Sequence, residues 1–389
     1  MVHYDPFAYD THEDPYPIYK QLRDAAPVYY NDELDFWALS RYEDVRNALI
    51  DHDTFCSGQG FLLEDIGALA LPMVLGMDPP DHTRLRGIIN RALTPRRVAA
   101  LEAPIRRLAR TLLGAFAHSG RGDIIADFAA LLPMNVVSEL LCVPQADRNL
   151  LRSWADDMVE RADGVKGLPQ KAVQAGGWIV AYFEAMLQAR AAAPGDDLLS
   201  LLLTAAQRGE VSHVELLGFC FLLIIAGNET TTKLIGNMTH QLSLYPRQRQ
   251  RLLDDPVLIP NAVEEVLRYE SSTQMMARTL TRDLHLYGRT MPKGKKVALI
   301  LASANRDERY WTSPDVLDVC RDTAGTLAFG FGIHHCLGAS LARLEATVAL
   351  QEMLARIPDF VVDEAGLKRV HSGNVRGFSR VPITFTPAP

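Results

Sequence analysis

The chain has 389 residues, 48% of them apolar and 22% charged, with a net charge of −7. That is enough for a large buried core, and an acidic balance with no Lys/Arg-rich tract excludes a general nucleic-acid binder. Five scattered cysteines (Cys56, Cys142, Cys220, Cys320 and Cys336) form no CxxC pair, which excludes a disulfide framework or cysteine-rich zinc site and fits a reducing compartment.

The N-terminal segment MVHYDPFAYDTHEDPYP is polar and proline-punctuated, unlike a signal peptide or membrane anchor. The longest apolar run, Leu216 to Ala226, falls short of the roughly 20 residues a membrane span needs. The expectation is a cytoplasmic protein with no membrane anchor. Asp14 to Asp24 has amphipathic helical spacing. Pro27 to Ser40 holds two β-rich runs around Asn31–Asp32, a predicted hairpin. Arg41 to Ile50 returns to helical spacing. From Ser57 to Pro80 the chain mixes glycine, proline and apolar residues without a period. A long apolar loop of this kind either covers a ligand pocket or packs on the core.

After Pro80, DHTRLRGIINRALTPRR reads as a helix that stops near Pro95. His82 and Arg86, four apart, share one face and can clamp an anion, although a solvated basic face is the commoner outcome. Helical patterns follow at Val98–His118, Asp123–Cys142, Ala146–Arg161, Pro169–Ala192 and Asp196–Arg208. Ser212, with Glu215 three residues on, starts a long helix predicted to run to about Leu244. Its centre is apolar on every face, so it should cross the core. Within it lies AGNETTT, Ala226 to Thr232. Gly227 in mid-helix costs about 1 kcal/mol relative to alanine, and close approach of a flat ligand is one reason to keep it. Glu229 is a carboxylate in a run built for burial, which is costly unless paired or working. The Thr230 hydroxyl can bond the carbonyl one turn back. Together they make a candidate proton-delivery pair; a polar helix turn facing water is the alternative.

Pro260 to Tyr269 is a helix in which Glu265 and Arg268 can pair at i, i+3. Ala277–Thr281, Leu284–Tyr287 and Lys296–Leu301 are β-prone, and Asn305 to Asp322 is loop-like. FGFGIHHCLG, Phe329 to Gly338, places Cys336 just before an apolar helical face formed by Leu337, Leu341, Leu344 and Val348. Amides and the dipole at a helix start favour a thiolate there. Gly330, Gly332 and Gly338 permit tight turns and close approach of a large flat ligand. The final segment from Phe360 should give two strands and a hairpin with its tip near Arg376–Ser379.

These motifs, in this order over essentially the whole chain, resemble a soluble bacterial cytochrome P450, a haem-thiolate monooxygenase. FGFGIHHCLG is similar to the family's haem-binding loop, AGNETT to its oxygen-activation segment, and Glu265–Val266–Leu267–Arg268 to its ExxR motif. The resemblance implies a mainly α fold with smaller β-sheets. It would be a triangular, helix-rich single domain over 1–389, with haem between the long central helix and the cysteine-loop helix. The β-rich portions would be about 27–40, 277–301 and 359–386, and the helical portion about 80–270.

The resemblance further implies haem b as cofactor, with Cys336 as the metal ligand. His82, Arg86, Arg278 and His334 would hold its propionates. Ala226 and Gly227 would lie against its face, and Phe329, Gly330 and Gly338 would contact it from the loop. Glu229, where many members carry aspartate, and Thr230 would deliver protons on the distal side. Glu265, Arg268 and Arg321 would form a buried structural ion pair network. Leu317 and Thr326 depart from an aromatic and a histidine common in the family.

The implied reaction inserts one oxygen atom from O2 into a hydrophobic small molecule. Electrons would come from a separate ferredoxin and ferredoxin reductase, and so indirectly from NAD(P)H. Arg96, Arg97 and Arg343 could receive that acidic partner. The pocket would be lined by Leu62, Leu63, Ile66, Leu69, Ile225, Met275, Met276 and Phe378, with Ala162–Ala175 as a mobile lid. No charge falls in this set, so a substrate held by a salt bridge is not expected. A monomer is expected. Two other readings are a peroxide-driven haem-thiolate peroxygenase and a haem-binding sensor without turnover. The Glu229–Thr230 pair opposes the first, and the lack of an output domain the second.

Overall fold

The computed structural model describes residues 2–65, 67, 71–92, 94–193, 195 and 198–387. A five-stranded sheet lies beside a larger body of helices. The hairpin pairs Val28–Asn31 with Phe36–Leu39, Val28 facing Leu39 and Asn31 facing Phe36. Phe36–Leu39 then runs parallel to Lys296–Leu299, which pairs antiparallel with Met276–Leu280, and Phe55–Cys56 closes the edge. All four residues of Phe36–Leu39 are buried, as expected of an inner strand covered on both faces.

The central helix, His213–Leu244, begins with a complete capping box. Ser212 Oγ accepts from the Glu215 amide at 3.2 Å, and a Glu215 carboxylate oxygen accepts from the Ser212 amide at 2.8 Å. Two otherwise orphaned donors are thereby satisfied. The helix's 32 residues span about 48 Å. It packs against Leu131–Leu140, Arg148–Val159, Ile259–Tyr269 and the C-terminal helix Ala339–Arg356. Among the described residues it is the one helix long and apolar enough to cross a membrane, and 61% of its apolar window is buried inside the protein.

Three segments differ from the sequence expectation. Val98–His118 is two helices, Pro95–Ala100 and Glu102–Phe116. Proline at position 95 opens the first of them, with the Thr94 hydroxyl accepting from the Arg97 amide. Asp123 ends a strand, Arg121–Asp123, paired with Pro382–Thr384; one wide helical turn, Ile125–Ala129, then precedes Leu131–Leu140. At the C-terminus, Phe378–Arg380 is itself a strand paired with Lys368–Arg369. The connection is therefore 370–377, and the tip lies before the predicted Arg376–Ser379.

Among the described residues, Ile259–Tyr269 carries the most enclosed charged pair. Glu265 and Arg268 have no exposed side-chain surface and form a two-pronged pair, Nε to Oε2 at 2.7 Å and Nη2 to Oε1 at 2.8 Å. Arg321 Nε adds a third contact at 3.1 Å, and the Asp318 amide a fourth at 3.0 Å. The two guanidiniums also donate to carbonyls of Asn305, Pro314, Val316, Thr312 and Ser313. An irregular segment with almost no secondary structure is thereby held by charge-assisted bonds. Removing one partner of such a pair leaves a buried charge uncompensated. Arg268→Ala is expected to cost about 3–5 kcal/mol in chemical denaturation; a loss under 1 kcal/mol would show that the network does not hold the segment.

Candidate active site

The cysteine loop is built by glycine conformations and one backbone bond. Gly330 and Gly332 have φ of 69° and 71°, and a Cβ on Gly332 would lie 2.7 Å from the Leu49 carbonyl. Only glycine fits there without strain. The Cys336 amide donates to the Phe329 carbonyl at 2.8 Å, folding the thiol back under the start of Ala339–Arg356. Nothing lies within 4 Å of a Cβ on Gly338, so that face is open to a flat group. The thiol is accessible from the cavity it lines yet enclosed by protein. Enclosure pushes its pKa up, and the Gly338 amide, Arg86, Arg343 and the Ala339 amide only partly oppose this. The amides at the helix start thus favour the thiolate in the expected direction without outweighing burial, and a cation bound at sulfur would favour it further.

A cavity of about 400 Å³ lies between the central helix and the C-terminal helix. Cys336, Arg86, Arg278, His334, Ala226, Gly227, Glu229, Thr230, Phe329, Gly330 and Gly338 all line it. His82 stands next to this set, its ring 4.3 Å from that of His334. Both ring nitrogens of buried His82 lack a partner among the described residues. Arg278, also buried, has one hydrogen bond there, to the carbonyl of Ala277. Burial holds Arg278 down to about 10. Burial, then Arg278, His82 and Arg86, hold His334 down to about 3. Four basic side chains thus crowd together with donors to spare, an arrangement that fits a ligand carrying carboxylates. A thiol, a glycine-lined face and this anion clamp together fit haem. His335 is outside the set: its carbonyl accepts from Arg86 at 2.5 Å.

On the central helix, Thr230 Oγ1 donates to the Ala226 carbonyl at 2.7 Å, as the sequence allows. Gly227 borders the cavity, but a Cβ there would lie 2.8 Å from Val137 Cγ2. Its smallness therefore also serves the approach of Leu131–Leu140. Glu229 is buried and paired one turn on with Lys233, Nζ to Oε2 at 3.1 Å. Burial pushes the Glu229 carboxyl up, but Lys233, a hydrogen bond with Asp156 and Arg152 hold it below the usual carboxylate range. Asp156 is raised by burial and by Glu229. The sequence reading missed both Lys233 and Asp156. Lys233 was in reach, since i, i+4 spacing from Glu229 signals it. Asp156 was not, because it comes from another helix. Glu345 was missed too. It lines the cavity, its Oε2 has no partner among the described residues, and burial pushes it up to about 8.

The predicted pocket set divides. Leu62, Ile225 and Met276 line the cavity. Leu63, Met275 and Phe378 do not. Leu63 and Met275 pack with Tyr4 and Phe7 in a separate core, and Met275 sulfur accepts from the Tyr4 hydroxyl. Phe378 packs on His240 and under Arg369. Ile66 and Leu69 lie outside the described residues. Phe61, Met73, Val74, Met158, Leu222 and Leu223 are among the further apolar residues that line it. One expectation fails: a charged side chain, Arg161, does reach this wall, paired with Glu64. Arg343 is not a free surface charge, because Glu264 holds it at 2.5 Å. The 162–169 part of the expected lid is fastened by Gly164 amide to Phe7 carbonyl (3.0 Å) and Tyr9 amide to Asp163 (2.8 Å).

A family profile described as Cytochrome P450 matches residues 174–364. Putative cytochrome P450 123 of Mycobacterium tuberculosis (strain ATCC 25618 / H37Rv) is 42% identical over 386 residues, covering 98% of this chain and 96% of that protein. Vitamin D(3) 25-hydroxylase of Pseudonocardia autotrophica is 38% identical, covering 99% and 97%. The structure of CYP109E1 from Bacillus megaterium in complex with testosterone superposes with a TM-score of 0.91 at 32% identity, over 97% of this chain and 99% of that one.

The Glu229–Lys233 pair generates a pH prediction. Glu229 is held below its ordinary value, so its contribution to stability is present above the unfolded carboxylate range and lost as pH falls through the folded value. Lys233→Met leaves the carboxylate buried and unpaired. Its deficit against wild type should be about 3 kcal/mol near neutral pH and shrink as pH falls below about 5. A deficit independent of pH in denaturation midpoints would contradict this.

Proposed function

We propose a function from the premise that the chain belongs to the cytochrome P450 family: it is a haem-thiolate monooxygenase that inserts one oxygen atom from O2 into a hydrophobic small molecule. Electrons come from a separate ferredoxin and its NAD(P)H-dependent reductase. The convergence of Cys336, Arg86, Arg278 and His334 on one apolar cavity, with His82 beside them, carries the reading. The bound haem supplies dioxygen activation and the oxidation itself.

The chain's own residues have separable tasks. Cys336 would give its sulfur to the iron. His82, Arg86, Arg278 and His334 would take the propionates. Ala226 and Gly227, which line the same cavity, would lie against the ring. Thr230 offers its hydroxyl there, and Glu229 recharges it with protons drawn from Asp156 at the edge of the protein. Lys233 holds Glu229 ionised between transfers. The apolar lining excludes water and seats the substrate. Relatives that hydroxylate vitamin D3 or bind testosterone support a substrate of that hydrophobic character. We place the protein in the cytoplasm, working as a monomer.

The cysteine assignment is tested by Cys336→Ser, which should abolish the thiolate-type spectrum of the reduced, carbon monoxide-bound protein; a retained spectrum removes Cys336 from the iron. Glu229→Gln should slow turnover about 100-fold or more with little change in substrate affinity. Thr230→Ala should spend electrons without product, and unchanged coupling would take Thr230 out of the proton path. Activity with peroxide alone, and none with the electron-transfer chain, would overturn the use of O2.

A further inference from the structure

One charged pair in the cavity wall is used neither by the propionate clamp nor by the proton pair. Arg161 follows the helix Arg148–Val159 and lines the cavity. Its Nε donates to Glu64 Oε1 at 2.8 Å, and its Nη1 donates to the carbonyls of Met158 (2.9 Å) and Glu160 (3.0 Å). The two side chains are 4% and 3% exposed. Among the described residues Nη2 has no hydrogen-bond partner.

The pair joins two segments 97 residues apart, the apolar loop 57–80 and the turn after a helix. Burying two charges costs more than burying two apolar side chains of the same volume, so packing alone does not explain it. What it adds to the wall is the spare Nη2 donor group, two N–H bonds on a cation whose charge is already balanced. A neutral oxygen meets that donor at no electrostatic cost. A carboxylate would bring a second negative charge beside Glu64 in a water-poor cavity, where like charges repel strongly.

Resting on the reading of this cavity as the substrate chamber, we propose that Arg161 is the polar anchor that selects the substrate, and that Glu64 sets its sign preference. The favoured class is an apolar molecule bearing a neutral hydroxyl or carbonyl oxygen. Carboxylates of the same skeleton are rejected because Glu64 already occupies the guanidinium.

The test is a titration of the haem-loaded protein with a matched pair, dodecan-1-ol and dodecanoate, followed by calorimetry and by the change in haem spin state. Wild type should bind the alcohol about 10-fold or more tightly than the carboxylate. Glu64→Gln should tighten dodecanoate about 10-fold and move the alcohol less than about 3-fold, while Glu64→Asp should keep the wild-type preference. An unchanged preference in Glu64→Gln, or a wild type that favours dodecanoate, overturns the proposal. Should Glu64→Gln not fold, Arg161→Gln is titrated instead: it should weaken the alcohol about 10-fold, and unchanged alcohol affinity overturns the anchor. The parent reading fails separately, by absence of the thiolate-type spectrum in wild type; an intact spectrum with an unaltered preference sinks the anchor alone.

Discussion

Glu265 has no contact with water, and its charge is met by two guanidiniums, those of Arg268 and Arg321. The remaining donors of both arginines are spent on main-chain carbonyls between Asn305 and Val316. This segment has little secondary structure of its own to fix it. Asn305 in turn accepts from the Leu327 amide at 2.7 Å, two residues before the cysteine loop begins. A buried charge is costly to misplace, so these bonds restrain the chain from 305 to 328. That stretch delivers Phe329 to Gly338 to the start of the C-terminal helix. In the proposed function the network would help hold the sulfur in place from some distance.

A second constraint is how charge is distributed around the cavity. His82, Arg86, Arg278 and His334 crowd together: burial lowers the proton affinity of all four, and basic neighbours lower that of the two histidines further, Arg86 for His82 and Arg278, His82 and Arg86 for His334. On the central helix the balance is closed: Glu229 faces Lys233, with Asp156 and Arg152 beside it. One group of charges is short of an anion and the other is self-sufficient. In the proposed function that contrast would separate the residues that hold a dianionic cofactor from those that pass protons, inside a single apolar chamber.

Much of this was readable in the chain because it is local. The glycine spacing around Cys336, the Ser212–Glu215 cap and the Glu265–Arg268 spacing each lie within a few residues, where helix and turn geometry are dictated by sequence. The burial of Glu265 came only through family resemblance, since an i, i+3 pair looks the same on a surface. The misses are non-local or depend on facing. Met275 and Met276 are neighbours at the start of a strand, so their side chains leave on opposite faces, and only Met276 reaches the cavity. Phe378 belongs to a strand where a hairpin tip was expected, which turned it into the core. Glu64 and Arg161 are brought together by tertiary folding, which no spacing rule encodes. An apolar loop without period gave no clue to which of its residues point inward, and Leu63 was misassigned for that reason.

The account rests on one ligand geometry, and a crystal structure of the haem-loaded protein measures it directly. The prediction is iron bound by the sulfur of Cys336, with both propionates among His82, Arg86, Arg278 and His334 and the central helix turn at Ala226–Thr230 on the opposite face. Iron held by a histidine, or propionates directed away from those four side chains, would contradict it.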